Sequence, residues 1–376
     1  MKAIISHNYG TFNELKLVTD FIKPDKIPKG QMLIKTEAVA VSPGDVRVLS
    51  GACKEMQGPP SFPYIPGGDL CGTIIDMNDV DPSKVGYGKG DRVAARFTIG
   101  PRGALGEFAT VSPKMTGKVP DNLSSEEAAV LASSATIALC LSRRITKGER
   151  VIIVGGGGGV GSHLSQILRL KGTAYVAAAS HEPDRMMREP LSCDNALDYT
   201  QKDVYDFTEW KKVGVDEKFD TVIDLSGGGW LRLMEQQSSK VDSKRMIVKP
   251  GKNGGRYLTL VSDVYNFEMH TIWQAMKLFV FTNLVRHFYS RFLKSTSLPV
   301  HSFAMSLDND VEIMKETLKL ASENKLKACI DDRGPFGFTT EGAQAAFQLQ
   351  ASRNVRGKVV ISMKNTGDTT GGGKKL

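Results

Sequence analysis

A chain of 376 residues with 41% hydrophobic and 24% charged content has room for two cored domains and is neither disordered nor fibrous in composition. Its net charge of +8 is not gathered in one block, so no nucleic-acid partner is expected, and only a weak pull on anionic ligands or membrane surfaces remains. Five cysteines form no C-x-x-C pair, which argues against a disulfide framework or a zinc knuckle, and no apolar run reaches the roughly 20 residues that span a bilayer. The opening MKAIISHNYG starts directly on a strand pattern, without a signal-peptide core or an Arg-rich transit helix. A cytoplasmic location is expected, with organelle import left open.

Residues 1 to about 120 read as β-rich. Ala3 to Ser6, Leu15 to Val18, Met32 to Val41, Gly72 to Asp76 and Asp91 to Arg96 are strand candidates. Ser42–Gly44, Gly58–Pro60, Pro63–Gly68 and Gly86–Gly90 read as turns or loops. The character changes near Pro120. Ser124 is a helix N-cap, with Glu126 and Glu127 in the first turn, and an apolar helix runs from Ala128 to Leu141. Strands then alternate with helices at Tyr175 to Ala179, Asn195 to Leu197, Thr221 to Leu225 and Arg256 to Val261, which predicts a parallel, doubly wound α/β sheet. Trp273 to Leu293 reads as an aromatic and basic helix, facing a core, a subunit interface or a membrane surface. Pro299 to Met305 is a strand, Asp310 to Asn324 a helix and Val359 to Met363 a last strand. The Gly- and Thr-rich tail after Asn365 is expected to be disordered, and its Lys-Lys-Leu end lacks the serine of a peroxisomal tag.

The most informative stretch starts at Val151–Val154. Four β-branched residues there read as a buried strand, five glycines follow, and Ser162 to Leu170 reads as a helix. Gly156-x-Gly158-x-x-Gly161 has the spacing of a dinucleotide site. One glycine permits the tight turn, one lets the backbone approach the pyrophosphate, and one lets helix and strand pack closely. The helix N-terminus offers its unpaired N–H groups to the phosphates. An NAD site places Asp or Glu at the end of the second strand. Here that strand ends in alanines and Ser180, with His181 and Arg185 beyond it, which favours NADPH through donors to the 2′-phosphate. Glu182 and Asp184 are the competing carboxylates. The expected cofactor set is Gly156, Gly158, Gly159, Val160, Gly161, Ser180, His181, Arg185 and Ser226. His163 reads as a solvent-facing cap on the helix and His301 as structural.

The order of motifs resembles the medium-chain dehydrogenase/reductase superfamily, in its zinc-free quinone oxidoreductase (zeta-crystallin-like) branch. AVAVSPGDVRVLSG, FPYIPGGDLCGTI, GKGDRVAA, GALGEFATV, VPDNLSSEEAAVL, ITKGERVIIVGGGGGVGSH and RNVRGKVVISM carry the likeness across nearly the whole chain. It implies a Rossmann domain at 123–305, inserted into a GroES-like β-barrel substrate domain built from 1–122 and 306–364, with 365–376 as a tail. The ligand cleft would lie between the two. The zinc enzymes of the superfamily carry a Cys after the early strand and a Gly-His-Glu element. This chain has Ser42-Pro-Gly-Asp45 and Gly67-Gly-Asp69 there, so no metal is expected.

The implied reaction is hydride transfer from NADPH to a quinone or an α,β-unsaturated carbonyl, with protein donors stabilising the carbonyl oxygen. Arg47 stands where many quinone reductases carry a tyrosine; it is either that donor, a cofactor contact or an ion-pair partner of Asp45. Tyr64 is a second donor candidate, or a packing residue. The absent tyrosine, and Ile137 in place of the family's usual threonine, keep open an NADPH-binding protein with weak or no catalysis, acting as a redox sensor or structurally. A homodimer is expected, because the strand near Val300 to Met305 and the aromatic helix before it resemble the family's dimer edge.

Overall fold

The computed structural model describes residues 1–54, 61–97, 103–238, 242–263, 271–304 and 311–364, without the side chains of 242, 243 and 272. The expected turn at Gly58–Pro60, the end of the strand at Met305, the domain boundary after it and the C-terminal tail lie outside the described residues.

Two sheets organise the chain. The first is antiparallel over most of its length. It uses β3 (Gln31–Val41), β4 (Asp69–Asn78), β5 (Arg92–Arg96), β6 (Phe108–Val111), β7 (Thr116–Lys118), β14 (Phe336–Gly337) and β15 (Val359–Ser362), numbering strands along the chain after β1 (Ala3–Ile5) and β2 (Lys16–Val18). The long β3 carries β4 on one side and β15 on the other, with β6 pairing its first half. The last strand thus returns to the first part of the chain: Val359 sits opposite Val41, and Asp69 opposite Ala40. The inner face of this GroES-like sheet packs Ile34, Val39, Leu70, Val93 and Val359 into one apolar core.

The second sheet has six parallel strands: β8 (Arg150–Val154), β9 (Tyr175–Ala179), β10 (Asn195–Leu197), β11 (Thr221–Asp224), β12 (Arg256–Thr259) and β13 (Val300–Phe303). Their order, β10-β9-β8-β11-β12-β13, is the doubly wound Rossmann arrangement. β8 is buried along Val151–Val154 because neighbouring strands flank it and helices cover both faces, which is why that run is continuously apolar. Strand order reverses beside β8, and ligands of such sheets bind at the carboxyl ends of the strands there.

One expectation changes. Ser42–Gly44 is not a loop but the start of helix α1 (Pro43–Ser50). Proline has no N–H to lose at a helix's first position, and the Asp45 carboxylate accepts the Ser42 backbone N–H at 2.7 Å and its hydroxyl at 2.6 Å. Gly51, at φ +78°, ends the helix in the left-handed region.

The sheet edge at β13 is also not bare: it is covered at His301. Helix residues 272–293, which contain two wider π-type stretches, lie along β13. His287 Nδ1 bonds the His301 carbonyl at 2.7 Å, and the His301 N–H donates to Ser290 Oγ at 2.9 Å. The backbone groups that would receive a partner strand at His301 are occupied from within the chain.

Candidate active site

A cleft of about 830 Å³ opens at the ends of β8, β9 and β11 and is closed on the far side by the barrel. The glycine turn gives its Rossmann wall a stretch of bare main chain. Gly155 takes φ +85°, and the N–H groups of Gly155 and Gly156 both donate to the Ala179 carbonyl, at 3.1 and 3.0 Å. This pins the turn to β9. Helix α2 (Gly159–Leu170) follows, with Gly158 as its N-cap, so the first-turn N–H groups face the cleft without helical partners.

The glycines differ in what a side chain would meet. A Cβ on Gly161 would lie 2.6 Å from backbone atoms of Gly155 and Gly156, and one on Gly156 would lie 2.9 Å from the Ala178 Cβ. These two allow helix and strand to approach. A Cβ on Gly158 would have only the Gly155 carbonyl near it, at 3.8 Å, and would project into open cleft. That is the surface a pyrophosphate needs.

His163 is not a solvent cap. It is fully buried, its Nδ1–H bonds the Gly159 carbonyl at 2.6 Å, and its Nε2 accepts the Cys329 N–H at 3.1 Å. Those partners fix the neutral tautomer, and burial pulls its pKa down to about 4. The Gly turn is joined to the barrel side a second time, where the Gly357 N–H donates to the Gly157 carbonyl at 2.9 Å.

Beyond β9, Ser180 lies against the turn: a Cβ on Gly157 would come 2.7 Å from its hydroxyl oxygen. Ser180 and His181 line the cleft, and the His181 ring meets Tyr199 edge-on. Arg185 has another task. Its guanidinium donates to the carbonyls of Gly157 and Arg356, at 3.4 and 2.9 Å, bracing the turn against the C-terminal segment, and it is absent from the cleft lining. The competing carboxylates are also elsewhere: Glu182 pairs with Arg356 at 2.5 Å, and Asp184 is exposed.

Ser226 lines the cleft from a second glycine turn, which the buried Asp224 organises. Its carboxylate accepts the N–H groups of Ser226, Gly227 and Gly229 at 2.8–3.0 Å, and the Tyr257 hydroxyl at 2.6 Å. The Tyr205 hydroxyl donates to it at 3.2 Å. Burial, with Asp224 beside them, holds both phenols well above the ordinary tyrosine pKa. The sequence signal for this turn was an acid at a strand end followed by Ser226-Gly-Gly-Gly229.

The barrel wall is made of side chains. α1 contributes Pro43, Gly44 and Arg47 to the lining, while Asp45 is turned inward to cap the helix. Tyr64 does not reach the cleft. Its backbone pairs with Ser6, and its ring is buried in the barrel core, edge-on to Phe62. At the base of the wall, Lys358 Nζ meets Asp69 Oδ2 at 2.9 Å, with both side chains under 8% exposed. Arg96 stands near them; burial lowers its pKa and Asp69 pulls it back up. Arg353 completes the lining and donates to the Ser226 carbonyl at 3.1 Å. Sequence reading missed Lys358, Arg353 and Arg96, because only the fold brings them to the turn.

The chain matches the alcohol dehydrogenase GroES-like domain family over residues 28–121 and the zinc-binding dehydrogenase family over residues 191–361. A 2-methylene-furan-3-one reductase of Solanum lycopersicum is 28% identical over 371 residues, covering 96% of this chain and 79% of the relative. A chloroplastic NADPH-dependent alkenal/one oxidoreductase of Arabidopsis thaliana is 25% identical, over 96% and 79%. The structure of an Escherichia coli quinone oxidoreductase complexed with NADPH superposes with a TM-score of 0.71 at 16% identity, over 96% of this chain and all of the other, a likeness of fold. The chain belongs to the medium-chain dehydrogenase/reductase superfamily.

The second matched family is named for zinc, so the donor set matters. Among the described residues, no three His, Cys, Asp or Glu side chains gather in a way that could hold a metal ion. Asp69 is held by Lys358, and burial pushes the Cys71 thiol up to about 12, far from the thiolate that zinc binds. The residues present do not fit a zinc site of this superfamily. They do fit a dinucleotide: an open main-chain turn, a helix N-terminus, and a hydroxyl at the end of β9.

Proposed function

We propose that this chain is a zinc-independent, NADPH-dependent reductase of quinones or α,β-unsaturated carbonyls. The observation that carries the reading is Gly158, whose missing side chain leaves the cleft open at the helix N-terminus, opposite a wall carrying Arg47. The first-turn N–H groups of α2 bind the pyrophosphate, and Ser180 and His181 take the 2′-phosphate side, with no carboxylate among the described lining residues there to repel it. Arg353 adds a positive charge to the same cleft. NADPH supplies the hydride when bound.

The protein's part is to position and to stabilise charge. Arg47 is the donor aimed at the substrate oxygen, which gains negative charge as the hydride arrives. Ile137 and Phe97 give the apolar surface for a ring or an alkenyl chain. Names of the relatives support this substrate class: one acts on alkenals and enones with NADPH, another on a methylene-furanone.

The test is NADPH oxidation, followed by its absorbance, with a panel of quinones and enals. Turnover with at least one of them, unchanged by a chelator, is the expected result. Binding of NADPH with no turnover on any member would leave a cofactor-binding protein without this chemistry.

A further inference from the structure

Helix α3, residues 272–293, has two faces of opposite character. Its inner face is fully engaged. Ala275 is buried against Cys53, with Leu278 and Phe279 packed around them, and Phe279 meets Phe303. Arg286 forms a two-pronged pair with Asp263, and His287 and Ser290 hold β13. The outer face is apolar and in water. Trp273 is 73% exposed, Leu284 61%, Val285 67% and Phe292 66%, with Phe281 and Phe288 between them. These residues recur at helical spacing over roughly 30 Å. Scattered surface apolar residues are ordinary; a contiguous stripe of large ones marks a contact surface.

Charge decides what the contact is. Residues 271–300 contain no Asp or Glu, whereas Lys277, Arg291 and Lys294 accompany the apolar stripe. Two copies meeting through this face would bring like charges together at an interface core, where lysine is normally depleted. A surface of anionic lipid headgroups supplies both an apolar layer and the missing negative charge. No helix among the described residues is long and apolar enough to cross a membrane, so the helix would lie in the interface plane.

We propose that α3 is a docking helix for an anionic lipid bilayer. The rings of Trp273, Phe281, Phe288 and Phe292 sink into the headgroup–acyl boundary, and Lys277, Arg291 and Lys294 meet lipid phosphates. The inner face then fixes how the cleft stands on the membrane. It packs on Cys53, just past α1, which carries Arg47, and it grips Asp263, two residues beyond the cleft-lining Val261. Docking holds the mouth of the cleft beside the lipid surface, and it does not depend on the chemistry inside the cleft.

The experiment is flotation of the purified full chain with vesicles of phosphatidylcholine, alone or mixed with phosphatidylglycerol. The chain is expected to float with the mixed vesicles only, and less so as salt is raised. Lys277→Ala with Arg291→Ala should weaken partitioning about fivefold for each charge removed. Phe288→Ser with Phe292→Ser should weaken it at least about tenfold. Both pairs of side chains face solvent, so melting temperatures should match the parent chain. Absence of flotation with either vesicle, or equal flotation with both, would overturn the proposal. So would a dimeric mass by light scattering that the Phe288/Phe292 variant converts to a monomer, because a second copy would then be the occupant.

Discussion

The two walls of the cleft are built from different materials. On the Rossmann side, the glycine turn offers a ligand main chain, and its fit lies in side chains that are missing: Gly158 is open while Gly156 and Gly161 are closed by contact. On the barrel side, Arg47, Arg96 and Arg353 bring charged side chains to the surface, and at its base is an ion pair whose members stand 289 positions apart. A main-chain wall is fixed by one local turn and tolerates almost no substitution. A side-chain wall is fixed by the whole fold and is free to vary, which suits a scaffold that keeps one cofactor while its substrate changes.

The largest effect should come from the side-chain wall. Lys358→Met leaves the Asp69 carboxylate buried without its ammonium, and removing one partner of a buried pair costs about 3–5 kcal/mol. Denaturant unfolding of this variant and of Asp69→Asn with Lys358→Met should show the double variant recovering part of that loss. Equal instability of the two would mean that the pair is not what Lys358 contributes.

The main-chain wall should respond differently. Gly158→Val places a branched side chain in the open space proposed for the phosphates, and NADPH affinity should fall about a hundredfold with the melting temperature little changed. Gly161→Ala should show the reverse order, losing about 1–3 kcal/mol of stability because its Cβ meets backbone at 2.6 Å. If both variants behave alike, the division between the open glycine and the packing glycine is wrong.

Acid should loosen the seam where the two walls meet. His163 is held neutral with a pKa of about 4, below the unfolded value of roughly 6.5. As pH falls through 6.5, the unfolded chain takes up the proton first. Stability is therefore fully present above about 6.5 and declines toward 4, by at most about 1.4 kcal/mol per pH unit. His301, pulled down to about 3 by burial, adds a similar slope that extends lower. Urea midpoints at neutral and mildly acid pH should diverge less in His163→Gln than in the parent chain.

The same contrast explains what could be read from the sequence. Val151–Val154 and the glycines announce their strand, turn and helix because each step depends on neighbours in the chain. The parallel sheet followed from the alternation of elements, and the superfamily from the order of motifs. Arg185 was misleading for a tertiary reason: nothing local says that the Gly157 and Arg356 carbonyls will claim its guanidinium. For Tyr64 the packing alternative holds, because its pairing with Ser6 turns the ring into the barrel. Lys358 was overlooked because Asp69 is distant in sequence. The sequence also did not announce that His287 and Ser290 cover the strand edge at His301, because their positions depend on how α3 lies on β13.

The smallest expected effect concerns cofactor choice. Ser180→Asp puts a carboxylate at the end of β9, against the turn, and should shift the ratio of NADPH to NADH affinity about tenfold toward NADH by like-charge repulsion of the 2′-phosphate. An unchanged ratio would move the phosphate away from Ser180, toward Arg353.

The central claim, that the glycine wall is an NADPH site, is tested most directly by calorimetric titration of the unmodified chain with NADPH and, separately, with NADH. Saturable binding of one NADPH per chain, with NADH clearly weaker, is the expected result. Failure to bind NADPH, or tighter binding of NADH, would contradict it.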